Sequence, residues 1–381
     1  MLYVIALAAA LAASDGASPA PSASPLPTPS LSAAPTPAYS LDGAFTEYSV
    51  HSTNANATGA LDNANGADLQ NRTDVSNAVL TFSKNTGSFR FSVTGGAYAL
   101  PVVGQAINPT TQQSSNAWLY GFFPAAYLAY VPNAHLTVTA GKQTSLLGQE
   151  NAFTFQNLNV TRGIAWATEP TISRGVRAAY VQGKFSGILE YNDGYYSGNN
   201  GRALEGLVGF APSSTTDVQV AFMLPGPDTP GNVTSGVANK REYDLMFTKQ
   251  YGKLQLLPYL LFVDSPSSAR LGYVRPESAL AIAFLANYTF DARYSVAARY
   301  ESFADHSASG DASPNADLLG FGSGSRATTW TVTPGYRSGN VFARAEYSAN
   351  RLANFAPGLG FGSGGLLGNQ SRVLVEFGAV F

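Results

Sequence analysis

The side chains that most often carry out catalysis or bind metals are few in this sequence and lie far apart. The chain has no cysteine, and its three histidines are His51, His135 and His306. Their separation argues against a histidine metal site, and the lack of cysteine excludes thiol catalysis and cysteine-based zinc sites. Asp305 beside His306 could form an acid–base pair, but such neighbours are far more often loop polarity. The sequence therefore predicts no enzyme, no metal and no cofactor.

Charged side chains are also scarce. The 381 residues include 22 Lys and Arg and 24 Asp and Glu, so 12% are charged, whereas a soluble domain carries about 25%. With a net charge of -2, no basic patch exists to neutralise phosphates, and nucleic acid is not an expected partner. No apolar run reaches the roughly 18 residues of a transmembrane helix, which argues against a helical membrane protein.

From about residue 39 onward the dominant pattern is alternation with period two, which is typical of strands. In the last segment Val373, Val375 and Phe377 share one face, while Arg372 and Glu376 share the other. The same pattern recurs along the chain and predicts sixteen strands, near 41–52, 74–83, 88–99, 119–131, 135–142, 174–182, 185–192, 203–211, 217–224, 242–249, 254–263, 279–289, 294–303, 327–336, 341–349 and 372–381.

The connections between these strands alternate between long and short. The short connections are polar turns such as 84–87 and 337–340. The long connections are rich in Gly, Ser and Asn, as in 100–118 and 304–326. Long loops at one end and short turns at the other are the layout of an outer-membrane barrel. The predicted fold is therefore all-β: a transmembrane antiparallel β-barrel of about 16 strands, with long external loops, short periplasmic turns and a water-filled interior.

In such a barrel the charges belong in the lumen or the loops, because a charge facing lipid near the midplane costs about 2–4 kcal/mol. Two alternatives remain for the wall charges. They set selectivity, or they form cross-strand Arg–Glu pairs that only rigidify the wall. The candidate lumen residues are Arg90, Arg177, Glu190, Glu205, Arg299, Glu301, Arg344, Glu346, Arg372 and Glu376.

Both chain ends agree with export to an outer membrane. Residues 1–13 resemble a signal peptide, although no Lys or Arg precedes Arg72, and a short buried helix is the alternative. Residues 14–38, rich in Pro, Ala and Ser, predict a disordered linker, and residues 39–381 form the barrel. The final Phe381 on an alternating last strand resembles the signal read by the barrel assembly machinery.

The stretch from Gly141 to Tyr180 carries a further resemblance. It contains a strand ending in Gly, then Gly-x-Glu, Asn-x-Thr-Arg, Pro and a Gly-Val-Arg strand start. This order resembles the OmpL-like β-barrel porin family of bacterial outer membranes. The matching residues are Gly141, Gly148, Glu150, Asn159, Thr161, Arg162, Pro170, Gly175, Val176 and Arg177.

The resemblance to porins implies that the third long loop folds inward and narrows the pore; a loop folded over the barrel mouth is the alternative. An inward loop would make Glu150, Arg162, Glu169 and Arg174 candidate charges of the constriction. Because both signs are present, we expect only weak selectivity for small hydrophilic solutes.

Two classes of function stay open from the sequence. The favoured one is a passive diffusion channel, with a solute-specific porin as a weaker variant. The rival is a non-conducting surface barrel whose long loops bind ligands or other cells. The expected partners are outer-membrane lipid and lipopolysaccharide, the assembly machinery and small solutes, and resemblance to porins adds a homotrimer.

Overall fold

The computed structural model describes residues 37–55, 68–111, 120–197, 201–231 and 236–381. The predicted signal peptide and all but two residues of the predicted linker lie outside these ranges. In the described part of the chain, no helix is long and apolar enough to cross a membrane. Single turns of 3-10 helix occur at Thr154–Gln156, Ala165–Ala167 and Ala269–Leu271.

Sixteen antiparallel strands form one closed barrel in which each strand pairs with its neighbours in sequence, and this confirms the predicted fold. The strands are β1 Tyr39–Ser52, β2 Asn71–Lys84, β3 Phe89–Tyr98, β4 Ala125–Tyr130, β5 Leu136–Thr144, β6 Ile172–Gln182, β7 Phe185–Asn192, β8 Ala203–Ser213, β9 Thr216–Pro225, β10 Arg241–Tyr251, β11 Leu254–Ser265, β12 Glu277–Thr289, β13 Tyr294–Asp305, β14 Arg326–Ser338, β15 Val341–Ala353 and β16 Asn369–Val380.

The barrel closes between its first and last strands. β1 and β16 pair in continuous antiparallel register from Ala44 opposite Val380 to Ser52 opposite Arg372. Closure leaves no strand edge, so the backbone N–H and C=O groups of the wall find partners within the sheet. A chain with this geometry can sit in hydrocarbon without exposing unpaired backbone groups.

The two faces of the wall follow the predicted alternation. On β16, Val373 and Phe377 are 49% and 51% exposed on the outside, whereas Arg372 and Glu376 are 1% and 0% exposed inside. The outer face also carries exposed aromatic side chains, namely Tyr180, Tyr191, Phe210, Tyr243, Tyr288, Trp330 and Tyr336.

One strand begins later than predicted. The pattern placed the start of the fourth strand at residue 119, but β4 begins at Ala125. Tyr120 and Gly121 have positive φ angles of 72° and 60°, which are incompatible with a strand. Pro124 lacks the N–H that a ladder needs. The backbone therefore turns in this segment, and its aromatic residues belong to the preceding loop.

Eight long loops lie at one end of the barrel and short turns of five residues or fewer lie at the other. We name these the loop end and the turn end; β1 starts and β16 ends at the turn end. In chain order the long loops are L1 (53–70), L2 (99–124), L3 (145–171), L4 (193–202), L5 (226–240), L6 (266–276), L7 (306–325) and L8 (354–368).

Part of the inner wall is apolar. The interior was predicted to be water-filled, but β11 and β12 turn Leu257, Leu261, Ala281 and Ala283 inward, all of them buried. They belong to one hydrophobic cluster with residues of L3 and of loops at the loop end. A strand that is apolar on both faces is shielded from water on both faces. Here loop residues cover the inner face of β11 and β12.

Candidate functional site

L3 leaves β5 and turns into the barrel, where wall carboxylates bind its backbone. The N–H of Leu146 donates to Oε1 of Glu205 on β8, at 2.5 Å. The N–H of Gly148 donates to Oδ2 of Asp244 on β10, at 2.6 Å. Gly148 has φ +78°, a conformation that glycine adopts without strain. The first turn of the loop is thus held on the β8–β10 side of the lumen.

The middle of L3 reaches the opposite wall. Thr154 Oγ1 donates to Oε1 of Glu376 on β16, at 2.5 Å. Arg344 on β15 donates to the carbonyl oxygens of Asn157 and Thr154, at 2.7 and 2.6 Å. The N–H of Val160 donates to Oε2 of Glu346 on β15, at 2.5 Å. The loop therefore spans the lumen from β8 to β16.

The returning segment is held by Glu301 on β13. Its Oε2 and Oε1 accept the N–H groups of Ile164 and Ala165, at 2.9 and 3.1 Å. These N–H groups start the short helix Ala165–Ala167, where no backbone carbonyl is available to them. A carboxylate is a favourable partner at that position because the helix start is electropositive.

Two of the predicted constriction residues, Glu150 and Arg162, lie at the centre of this network. Glu150 accepts from Arg299 through Oε1 and from the N–H of Gly163 through Oε2, both at 2.6 Å. Arg162 is 0% exposed, donates to the carbonyl oxygens of Asn151 and Ala152, and lies 5.0 Å from the ring centre of Trp166. Glu150 thus contacts a cation and an N–H donor, and Arg162 contacts carbonyl oxygens and an aromatic ring.

Burial changes the protonation behaviour of both groups. Loss of water around Glu150 raises the pKa of its carboxyl group, although the charge of Arg299 opposes the change. Loss of water around Arg162 lowers the pKa of its guanidinium to about 9, and the nearby Glu150 opposes that change. In both cases burial outweighs the opposite charge nearby.

The other two predicted constriction residues lie elsewhere. Glu169 is buried at the end of L3 with an exposed fraction of 3%. Arg174 lies on the outward-facing side of β6, the side of Val176 and Tyr180. Its Nε contacts Oδ2 of Asp193 at 2.6 Å and its guanidinium covers the ring of Tyr196. The structure brings Glu150 and Arg162 together and leaves Arg174 outside the lumen.

Most of the predicted wall charges form ion pairs. Arg177 pairs with Glu190 at 2.5 Å and Arg344 with Glu376 at 2.6 Å, each across neighbouring strands. Arg372 pairs with Asp68 of L1 at 3.3 Å. Arg90 lies near the turn end, where its Nε donates to the carbonyl oxygen of Gly87.

A second loop enters the lumen, and the sequence reasoning missed it. Val102 of L2 forms a parallel bridge with Arg162 of L3, with hydrogen bonds of 2.9 Å from Val103 N–H to the Arg162 carbonyl and from Arg162 N–H to the Pro101 carbonyl. Arg372 donates to the carbonyl of Gln105 at 2.7 Å. The sequence does contain an indication that L2 packs inside: residues 99–103 form an apolar run, which is unusual for an external loop.

The inward-folded loops L2 and L3 do not fill the whole lumen. A cavity of about 90 Å³ lies against the underside of L3, lined by Phe155, Asn157, Leu158, Thr333 and Arg344 among others. Thr333 and Arg344 belong to the wall, and the other three belong to the loop. The lumen is thus a vestibule at the turn end and a packed layer of loops at the loop end.

The catalytic and metal candidates are not assembled. The Asp305 carboxylate accepts the N–H groups of Ser307 and Leu318, while His306 Nδ1 lies 3.4 Å from Ser278 Oγ. Among the described residues, no group of three or more His, Cys, Asp and Glu has the arrangement of a metal site.

A closed sixteen-stranded barrel, apolar outside and crossed inside by a hydrogen-bonded third loop, defines a transmembrane β-barrel of the porin class. The chain belongs to the family described as "Putative beta-barrel porin-2, OmpL-like", whose model matches residues 38–381. No curated protein sequence matches the chain significantly.

Solved porin structures share the fold at low sequence identity. An anion-selective porin from Comamonas acidovorans is 13% identical, with a TM-score of 0.62 over 90% of this chain and 99% of that one. The outer membrane channel DcaP of Acinetobacter baumannii is 10% identical, with a TM-score of 0.60 over 89% and 96%. The trimer form of OmpT from Vibrio cholerae is 10% identical, with a TM-score of 0.57 over 90% and 99%.

Proposed function

We propose that this protein is an outer-membrane porin that lets small hydrophilic solutes cross by passive diffusion. The observation that carries the proposal is the inner network: five wall carboxylates, on β8, β10, β13, β15 and β16, hold one loop across the lumen of a closed barrel. A barrel that served only as a membrane anchor for surface loops would not need a loop bound at this depth. The third loop is the constriction of the proposed channel.

The proposed selectivity is weak. The charges around the constriction occur as pairs, such as Arg299 with Glu150 and Arg344 with Glu376. A paired charge presents little net field to a passing ion, so solute size would decide passage more than charge. We assign the transport role to the wall and L3, and no catalytic role to any residue.

The proposed surroundings follow from family and fold. The outer face meets lipid and lipopolysaccharide, and the last strand with Phe381 meets the barrel assembly machinery. A homotrimer is the proposed assembly, supported by the trimer form described for OmpT of Vibrio cholerae.

Single-channel recording in planar bilayers tests the proposal. We expect stepwise currents from the refolded barrel, and larger steps from a variant in which residues 151–163 are replaced by a short Gly/Ser linker. The replacement removes the segment that crosses the lumen and leaves both ends of L3 attached to the wall. Electrically silent barrels, with and without this segment, would leave a non-conducting surface barrel as the function.

A further inference from the structure

The end of L3 carries a buried carboxylate that lacks hydrogen bonds from the described residues. Glu169 is 3% exposed, and neither of its side-chain oxygens accepts a hydrogen bond from the described residues. Transfer of an isolated ionised carboxylate out of water is so unfavourable that such a group binds a proton instead.

The surroundings of Glu169 add negative charge. Asp244 is also buried; its Oδ2 accepts the N–H of Gly148 at 2.6 Å, and its Oδ1 has no partner among the described residues. Gly148 lies between the two acids, because a Cβ built on it would come within 1.9 Å of Oε2 of Glu169. Two carboxyl groups thus face the same glycine in a space closed to water.

The cation that acts on Glu169, Lys240, also contacts other groups. Lys240 of L5 contacts Oε1 of Glu242 at 3.0 Å and donates to the carbonyl of Thr168 at 2.7 Å. Glu169 also acts electrostatically on the Tyr259 hydroxyl of β11, which is buried and has no hydrogen-bond partner in the described chain. The titratable groups that act on Glu169 include Glu150 of L3, Glu242 and Asp244 of β10, Glu301 of β13, Tyr259 of β11 and Lys240 of L5.

We propose that Glu169 is a proton-binding site that makes the docking of the end of L3 depend on pH. With a proton on Glu169, the segment 165–171 rests on the apolar inner wall as a neutral surface. Without it, a bare carboxylate lies beside Asp244 and Glu242 in a space without water, and the segment moves toward solvent. This inference rests on the proposed channel, because it names how the constriction of that channel is regulated.

The direction of the pH effect follows from linkage. Burial, with Asp244 and Glu242 adding to it, holds the pKa of Glu169 well above its usual range while the loop is docked. In a released loop the same group has the ordinary glutamate pKa of about 4.3. The docked loop therefore binds more protons, so its docking is strongest near or below pH 4.3 and weakens as pH rises toward the docked pKa.

Thiol labelling measures the docking directly, because the chain has no native cysteine. Ala167 is buried at the end of L3, so the Ala167→Cys variant reacts with a maleimide only when this segment opens. We compare the labelling rate of Ala167→Cys with that of Ala167→Cys, Glu169→Gln, because the ratio removes the pH dependence of the thiol. The expected ratio rises from about pH 5 to about pH 9, by at most about tenfold per pH unit for one proton.

A matched variant separates Glu169 from buried carboxylates in general. Glu277 on β12 is buried and pairs with Arg275 of L6 at 2.6 Å. Glu277→Gln therefore makes the same chemical change away from L3 and should leave the pH dependence of labelling intact. If the Glu169→Gln variant does not fold, the labelling rate of Ala167→Cys is compared with that of Ala203→Cys instead. Ala203 is buried beneath L4.

Bilayer currents distinguish this inference from the proposed function. For the wild-type barrel we expect conductance that grows with pH, and for Glu169→Gln a low conductance at every pH. Currents that are present but independent of pH, together with a flat labelling ratio, would overturn the proton site and leave the channel. A silent barrel whose labelling ratio still rises would overturn the channel and leave the proton site.

Discussion

L3 carries two buried glutamates in opposite electrostatic surroundings. Glu150, in the segment that crosses the lumen, contacts Arg299 and the N–H of Gly163. Glu169, at the end of the loop, faces Asp244 and Glu242 and has no hydrogen bond from the described residues. The two differ little in exposure, so burial alone does not determine what a carboxylate does. Burial raises the pKa of both carboxyl groups, but Glu150 has partners that anchor the loop, whereas Glu169 has no hydrogen bond to offset its burial.

The largest expected effect follows from removing the cation that contacts Glu150. Arg299→Ala leaves Glu150 and Glu301 buried without their cation, and breaking a buried pair in this way costs about 3–5 kcal/mol. We expect L3 to detach and the single-channel conductance to rise. Arg241→Ala is the control, because Arg241 pairs with Asp264 near the surface, where a pair contributes about 0–1 kcal/mol. Equal effects of the two changes would contradict the anchoring role of Arg299.

Neutralising each glutamate in turn tests the comparison itself. Glu150→Gln leaves Arg299 without its shortest ion-pair contact and should weaken loop docking by about 1–3 kcal/mol. Glu169→Gln removes a carboxylate that has no hydrogen bond from the described residues and should strengthen docking at neutral pH. Labelling of the Ala167→Cys background measures both, with faster labelling expected for the first and slower for the second. Changes of the same sign would remove the distinction between the two sites.

The apolar contacts at the ends of the loop allow a graded test, in which only the conservative change Ile164→Val is expected to have a smaller effect. Leu146 and Ile164 are buried in the cluster that includes Leu257 and Leu261 of β11. Ile164→Ala should cost about 2–5 kcal/mol of docking free energy and Ile164→Val about 0.5–1.5 kcal/mol. Repacking of L3 around the smaller side chain would reduce the cost of Ile164→Ala. Labelling rates in the same background should rank the two variants in this order.

The smallest effect is expected at Arg174, the constriction candidate on the outer face. Arg174→Glu should leave the ratio of cation to anion permeability unchanged, since this side chain pairs with Asp193 outside the lumen. Arg162→Glu places a carboxylate next to Glu150 and should shift the ratio toward cations. Reversal potentials in a salt gradient measure both. A changed permeability ratio in Arg174→Glu would show that this side chain does act at the constriction.

The fold was predictable from the sequence because the barrel wall obeys a simple rule. One face of each strand meets an apolar solvent, so alternation appears in residues such as Val373, Phe377 and Glu376, and the long and short connections give the topology. The later start of β4 was not predictable by alternation, because the backbone angles of Tyr120 and Gly121 decide it.

The interior was less predictable. The residue types in L3 pointed to a constriction, but which charges meet depends on contacts such as that of Glu150 with Arg299, 149 positions apart. Arg174 was misleading because a single step in strand parity moves a side chain from the lumen to the outside. The apolar inner faces of β11 and β12 were visible in the sequence as strands without alternation, and they indicate a loop packed inside.

The long sequence separation of the loop contacts sets an order of assembly. Thr154 binds Glu376 across 222 positions and Val160 binds Glu346 across 186. Such distant contacts form late, because the chain between them must first be ordered. The middle of L3 has these partners only after the last strands are in place, so we expect the lumen of the newly closed barrel to be wider than the mature one until the loop settles.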